Sequence, residues 1–259
     1  MGFATVLLAA ATAIAEVVFK LSLIPDIYNV HRSRSIGEMA ELPMITLVVN
    51  SNLWSWYAFV TENMFPLLTT QLIGEVFGIA FNIVYFRWSP PDKRKHLLKL
   101  YAYALAINCL VDIYCVLGLV DTLGMARGDL GTSLGYAGVA FTTALYVSPL
   151  GTLKRFLETK SAASISINMS IMIVVSAALW IATGVVDSDW FLVGVNSLGF
   201  LLGCVQIVLY NVYKPGRYDG SGLPDTDKVV SPKGGANDAV FVESMAYKPM
   251  LSPQEVTVV

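Results

Sequence analysis

The sequence predicts an all-α integral membrane protein. Seven transmembrane helices are expected, arranged as two parallel three-helix bundles joined by an inversion linker helix. Three observations lead there: a composition too apolar for water, seven apolar stretches of spanning length, and a pattern that recurs after about half the chain. Of 259 residues, 55% are hydrophobic and only 14% charged, with a mean hydropathy of +0.62. A soluble domain carries roughly 25% charged residues. This chain has too little polar surface to coat a globule of its size, so membrane lipid is the expected solvent. The net charge is −2, and no basic stripe exists to neutralise phosphates, which argues against nucleic acid as a partner.

A helix needs about 20 apolar residues to cross the hydrocarbon core. Seven stretches qualify: Phe3–Val30, Glu41–Val60, Pro66–Trp88, Leu97–Val120, Gly131–Phe156, Ile165–Val186 and Trp190–Tyr213. The first lacks a basic leader and carries Glu16 and Lys20, so it reads as a membrane helix rather than a cleaved signal. Cys109, Cys115 and Cys204 all sit inside apolar stretches and read as small hydrophobes. With seven spans, every Lys and Arg except Lys20 and Arg127 falls in loops or tail on one side. Basic loops stay cytoplasmic, so the N-terminus is expected outside or in a lumen and the tail in the cytosol. The Asn168-Met169-Ser170 sequon would then lie on the cytoplasmic side and go unused.

Four units are expected: a first three-helix repeat over 3–88, a linker helix over 97–120, a second repeat over 131–213, and a tail over 214–259. The tail is rich in Gly, Pro, Ser, Asp and Lys, a composition that leads us to expect disorder. Its end, Thr257-Val258-Val259, suits strand addition to a PDZ-type groove, so a tail-binding protein is a candidate partner.

The repeat is legible residue by residue. Leu53-Trp54 recurs as Leu179-Trp180 and Arg34-Ser35 as Lys160-Ser161, an offset of 126 in both cases. Gln71, Gly74, Gly78 and Tyr85 recur as Asn196, Gly199, Gly203 and Tyr210 at 125, and Pro25 recurs as Pro149 at 124. Three helices are an odd number. Two such units keep one orientation only if a further helix separates them, and the fourth span supplies it. Parallel repeats of this kind are a transporter architecture, with the site at the repeat interface.

These residues resemble the SWEET sugar transporters of the MtN3/saliva and PQ-loop group, over about residues 5 to 213. The second half carries the closer likeness: Ser148-Pro149-Leu150, Thr159-Lys160-Ser161, Leu179-Trp180, Asp189, and Asn196 through Gly199, Gly203 and Gln206 to Tyr210. The first half adds Pro25, Arg34-Ser35, Leu42-Pro43, Asn50, Trp54, Trp56-Tyr57 and Gly74. The family usually has Asn at Gln71, Pro at Ser166 and Val195, and Gly at Ala58. The resemblance implies a facilitative, bidirectional transporter of mono- or disaccharides, often associated into homo-oligomers, with the plasma membrane or an endomembrane as its seat.

No enzyme constellation, metal-ligand cluster or cofactor motif stands out. His31 and His96, the two histidines, both fall in loops. A sugar site in a membrane needs a flat apolar face for C–H surface and amides that both donate and accept. The symmetry mates Trp54 and Trp180 are candidates for the first, and Gln71 and Asn196 for the second. Trp56, Trp88 and Trp190 read as interfacial belt residues. Proline removes a helix hydrogen bond, so Pro25, Pro43 and Pro149 are candidate hinges; the resemblance implies a proline tetrad whose fourth place here is Ser166. It also implies an outer gate between Tyr57 and Asp189. Intramembrane ionisable groups are functional candidates by default. Glu16 and Lys20 stand four apart and are expected to pair; Asp112 is expected to make a structural hydrogen bond. Glu75, one residue past Gly74, is expected close to the pocket as a possible ionisable site. Three alternatives stay open: a proton-coupled PQ-loop exporter of another small solute, a seven-helix receptor, and a membrane scaffold acting through its tail.

Overall fold

The computed structural model describes residues 2–37, 39–146 and 167–212. Pro149, the bases Lys154, Arg155 and Lys160, Ser166, the side chain of Asn168 and the tail lie outside the described residues. Within them the chain forms α1 (Phe3–Leu21), α2 (Ile24–Ser33), α3 (Leu42–Val60), a π-helical turn (Met64–Leu68), α4 (Thr69–Trp88), α5 (Pro91–Leu119), α6 (Arg127–Leu145), α7 (Ile167–Val186) and α8 (Trp190–Val212). These elements make seven transmembrane spans, because α1 with α2, and the π-helical turn with α4, each run as one.

The first span is broken where a single helix was expected. The ring of Pro25 would meet the carbonyl of Leu21, four residues back, and it offers no N–H to that carbonyl. Accordingly α1 stops at Leu21, and α2 restarts at Ile24 with proline in its first turn. The N–H and the hydroxyl of Ser22 both donate to the carbonyl of Phe19, at 3.2 and 2.6 Å, and close the end of α1. Pro43 does not kink its helix. It occupies the first turn of α3, where the missing N–H would have had no helical partner. The fourth span is longer than expected. It begins at Pro91 instead of Leu97, since proline at the first turn and Asp92 behind it start a helix that carries Lys93, Arg94 and Lys95 beyond the apolar stretch. The fifth span starts early, at Arg127. Arg127 donates to the carbonyls of Val60 and Phe59 at the open end of α3, at 3.0 Å each, and pairs with Glu62 at 3.0 Å. A cation suits the negative end of a helix, which accounts for the one base on that side.

Among the described residues, four spans are long and apolar enough to cross a membrane by length and composition alone: Phe3–Ser33, Met64–Trp88, Pro91–Leu119 and Trp190–Val212. The α3 and α6 helices carry polar and aromatic groups on their inner sides for a structural reason. They face protein on their inner sides and place Asn50, Trp54, Tyr57 and Thr142 there.

Packing follows an unusual order. In the first bundle α4 touches both α1 and α3; in the second, α8 touches both α6 and α7. The third helix of each bundle is thus the middle one. The bundles meet through α1 against α7 and α3 against α6, while α5 lies on α3. A core of Leu53, Trp54, Tyr57, Trp180, Leu192 and Val195 joins the two bundles. Tight seats make these approaches possible. A Cβ on Gly78 would lie 2.8 Å from Val48, and one on Gly203 2.7 Å from Val174, so the repeated glycines are where α4 and α8 close on their neighbours.

Candidate functional site

Between the bundles lies a cavity of about 320 Å³. Its wall includes Trp54 on α3, Gln71 on α4, Trp180 on α7 and Asn196 on α8. The four residues singled out from the repeat therefore converge on one space. Both tryptophans are 4% exposed, and both indole N–H groups are already used. Trp54 Nε1 donates to Thr142 Oγ1 at 3.0 Å, and Trp180 Nε1 donates to Glu16 Oε2 at 3.0 Å. What the rings offer the cavity is apolar surface. Asn196 Nδ2 donates to the carbonyl of Leu192 at 2.9 Å in its own helix, which leaves its Oδ1 and second N–H.

The repeat symmetry extends to these contacts. Thr142 donates to Asn50 Oδ1 at 2.9 Å, and Ser176 donates to Glu16 Oε2 at 3.0 Å. Asn50 and Ser176, like Glu16 and Thr142, stand 126 apart. Glu16, Asn50, Thr142, Tyr146 and Ser176 all line the cavity. Sequence reasoning did not place them there, although the offset that found the tryptophans would have found Glu16 with Thr142, Asn50 with Ser176, and Tyr146 with Lys20. Glu16 and Lys20 do pair, at 3.3 Å. Lys20, 6% exposed, also donates to Gln71 Oε1 at 2.7 Å and to the carbonyl of Thr70 at 3.0 Å.

Beyond Trp54 lies a second cavity of about 440 Å³, lined by Tyr57, Glu62, Arg127, Asp189 and Phe191 among others. At this level Tyr57 OH donates to Asp189 Oδ2 at 2.8 Å and ties α3 of one bundle to the start of α8 in the other. Asp189 Oδ1 accepts from the N–H groups of Phe191 and Leu192 at 3.1 Å each, the usual way an aspartate caps a helix. Trp54 meets Tyr57 edge-on, with ring centroids 5.2 Å apart. Nearby, burial and then the charge of Asp189 push the Asp187 carboxyl up from its usual value, against a 3.4 Å hydrogen bond from Asn63.

Two expectations are corrected. Glu75 does not lie beside the central cavity. It lines a separate groove of about 640 Å³ with Asn52, Asn82, Asn108 and Asp112, between α3, α4 and α5. Each residue turns a helix by about 100°. Gly74 faces Lys20 and Ser51, so the next residue is turned toward α5. Nor is Trp56 an interfacial belt residue: its Nε1 donates to Asp112 Oδ1 at 2.7 Å, and Asn52 donates to the same oxygen at 3.1 Å. Asp112 thus has the structural hydrogen bonds expected of it. Trp190, 71% exposed, suits its belt assignment. Pro25 sits at the break between α1 and α2, Pro43 at the start of α3, and Pro149 is outside the described residues.

The family described as sugar efflux transporter for intercellular exchange, MtN3/saliva, matches residues 6–93 and 132–217. The chain belongs to the MtN3/saliva family. Among SWEET relatives, the bidirectional sugar transporter SWEET15 of Oryza sativa subsp. indica is 30% identical over 195 residues, covering 75% of this chain and 59% of the relative. The bidirectional sugar transporter SWEET11 of Oryza sativa subsp. japonica is 28% identical over 223 residues, covering 86% and 70%. The chain thus spans under two thirds of the length of the rice SWEET15. The structure of a eukaryotic SWEET transporter superposes with a TM-score of 0.69 at 19% identity, covering 80% of this chain and 97% of that one. That likeness extends the SWEET fold to this chain.

Proposed function

We propose that this chain is a facilitative, bidirectional sugar transporter working by alternating access. The observation that carries the reading is the central cavity. Two indole faces with their N–H groups occupied suit the C–H surface of a sugar, and the Gln71 and Asn196 amides suit its hydroxyls. The names of the relatives support it. The two family matches flank most of α5, which supports a linker between two repeats. We place the N-terminus outside, the tail in the cytosol and the protein in the plasma membrane, with lipid, a second copy and a tail-binding protein as further partners. No part of this reading calls for an enzyme active site or a cofactor. Uptake and efflux of a radiolabelled mono- and disaccharide panel in proteoliposomes tests it, and transport of none of them rejects it.

Tyr57 and Asp189 act as the outer gate in this scheme. Tyr57→Phe removes the hydroxyl and keeps the ring against Trp54. The expected result is faster opening outward and a labelling rate at a central-cavity cysteine, introduced at the buried Ala177, raised about tenfold or less, since one hydrogen bond is worth about 1 kcal/mol. An unchanged labelling rate would remove the bond from the gate.

Transport is expected to be passive. A neutral sugar needs no counter-charge, Glu75 faces a separate groove, and Glu16 is paired with Lys20. The measurement is sugar flux in vesicles with and without an imposed pH gradient, in the wild type and in Glu75→Gln. Equal steady-state levels are expected throughout. Gradient-driven accumulation lost in Glu75→Gln would favour a proton-coupled exporter.

A further inference from the structure

The cavity is lined by residues at matched positions of the two repeats, and the match breaks in charge. Trp54 leans on Thr142, and its mate Trp180 leans on Glu16, with identical 3.0 Å bonds. Gly74 is covered by Lys20, whose Nζ would lie 2.8 Å from a Cβ there; its mate Gly199 is covered by Tyr146, whose hydroxyl would lie 2.5 Å away. Lys20 and Tyr146 are again 126 apart. At two equivalent positions, then, one repeat has the neutral Thr142 and Tyr146, and the other has an ion pair.

The pair is fully engaged. The three protons of Lys20 go to Glu16, Gln71 Oε1 and the carbonyl of Thr70. Glu16 accepts from Lys20, Ser176 and Trp180. An ammonium only donates, and a carboxylate only accepts. Gln71 therefore has to give Lys20 its oxygen, and its NH₂ is what remains for the cavity. Ser176 and Trp180 have to give Glu16 their protons. On the mirror side Thr142 is a hydroxyl, able to do either.

We propose that Glu16 and Lys20 are a positioning pair that sets the hydrogen-bonding polarity of the cavity and thereby its sugar specificity. Resting on the sugar-transport reading, the proposal adds that the solute oxygen opposite Gln71 is recognised as an acceptor only. The pair touches α4 through Gln71 and α7 through Trp180 and Ser176, so its orienting effect reaches both bundles.

Deoxy and deoxyfluoro sugars separate the two roles of a hydroxyl, because fluorine keeps acceptor character and cannot donate. The experiment is competition of each analogue against uptake of the parent sugar in proteoliposomes. In the wild type, one position is expected where the fluoro sugar competes within about threefold of the parent and the deoxy sugar about tenfold worse, the size of one lost hydrogen bond. In the neutral double variant Glu16→Gln/Lys20→Met, Gln71 is free to turn, and the gap between the two analogues is expected to close to about threefold or less. The double variant is the informative one, since removing one charge leaves the other buried and unpaired. Lys20→Arg keeps the donors and is expected to keep the gap. A wild type with no acceptor-only position overturns the proposal without any variant, and so does an unchanged gap in the double variant. A wild type that transports no sugar at all overturns the transport reading instead.

Discussion

Trp180→Ala and Asn196→Ala are each expected to abolish most sugar transport while the protein still reaches the membrane. Trp180 supplies one of two apolar faces of the central cavity, and its N–H is one of three donors held by Glu16. Truncation removes the face and leaves a buried carboxylate short of a partner, a loss of about 1–3 kcal/mol. Asn196 gives the cleaner variant. Among the described residues its side chain bonds only to the carbonyl of Leu192 in its own helix, so truncation breaks no tie between those helices and takes away the groups that face the cavity. Uptake in proteoliposomes, normalised to reconstituted protein, is the measurement. Trp180→Phe, which keeps an aromatic face without the N–H, should retain more activity than Trp180→Ala. Near-normal uptake in both alanine variants would move the site away from this cavity.

Gly138→Val is expected to cut transport at least as deeply without replacing any residue that meets the sugar. A Cβ at Gly138 would lie 2.9 Å from Trp54 Cζ2, closer than carbon atoms tolerate. The indole is held on its other sides by the hydrogen bond to Thr142 and by the Tyr57 ring. A branched side chain at 138 therefore drives the indole toward the cavity. Overpacking of this kind costs about 1–3 kcal/mol, and here the displaced group is the cavity wall. Gly194→Ala, where nothing lies within 4 Å of the new Cβ, is the control and should transport normally. If Gly138→Val matches Gly194→Ala, the Trp54 position does not limit transport.

The sequence determined by itself that this chain spans a membrane seven times as a duplicated three-helix unit around a linker. Lipid demands long apolar stretches, and duplication leaves offsets that survive divergence, so both could be counted from residue positions. The same offsets drew Trp54, Trp180, Gln71 and Asn196 to one site before any helix was placed. Tertiary structure alone decided which charges join them. Along α4, Gln71 and Glu75 are one turn apart, and nothing in the order of residues says which neighbour each meets. That depends on α4 being the middle helix of its bundle, with α1 on one side and α3 on the other. The packing turns Gln71 to the cavity and to Lys20, and turns Glu75 toward Asn52 and Asp112. It also takes Trp56 from the membrane surface to Asp112 and carries Glu16 from α1 across to Trp180 on α7, 164 residues away. A helical stretch fixes how far apart side chains rise and turn along one axis. Only the crossing of several axes fixes which of them meet.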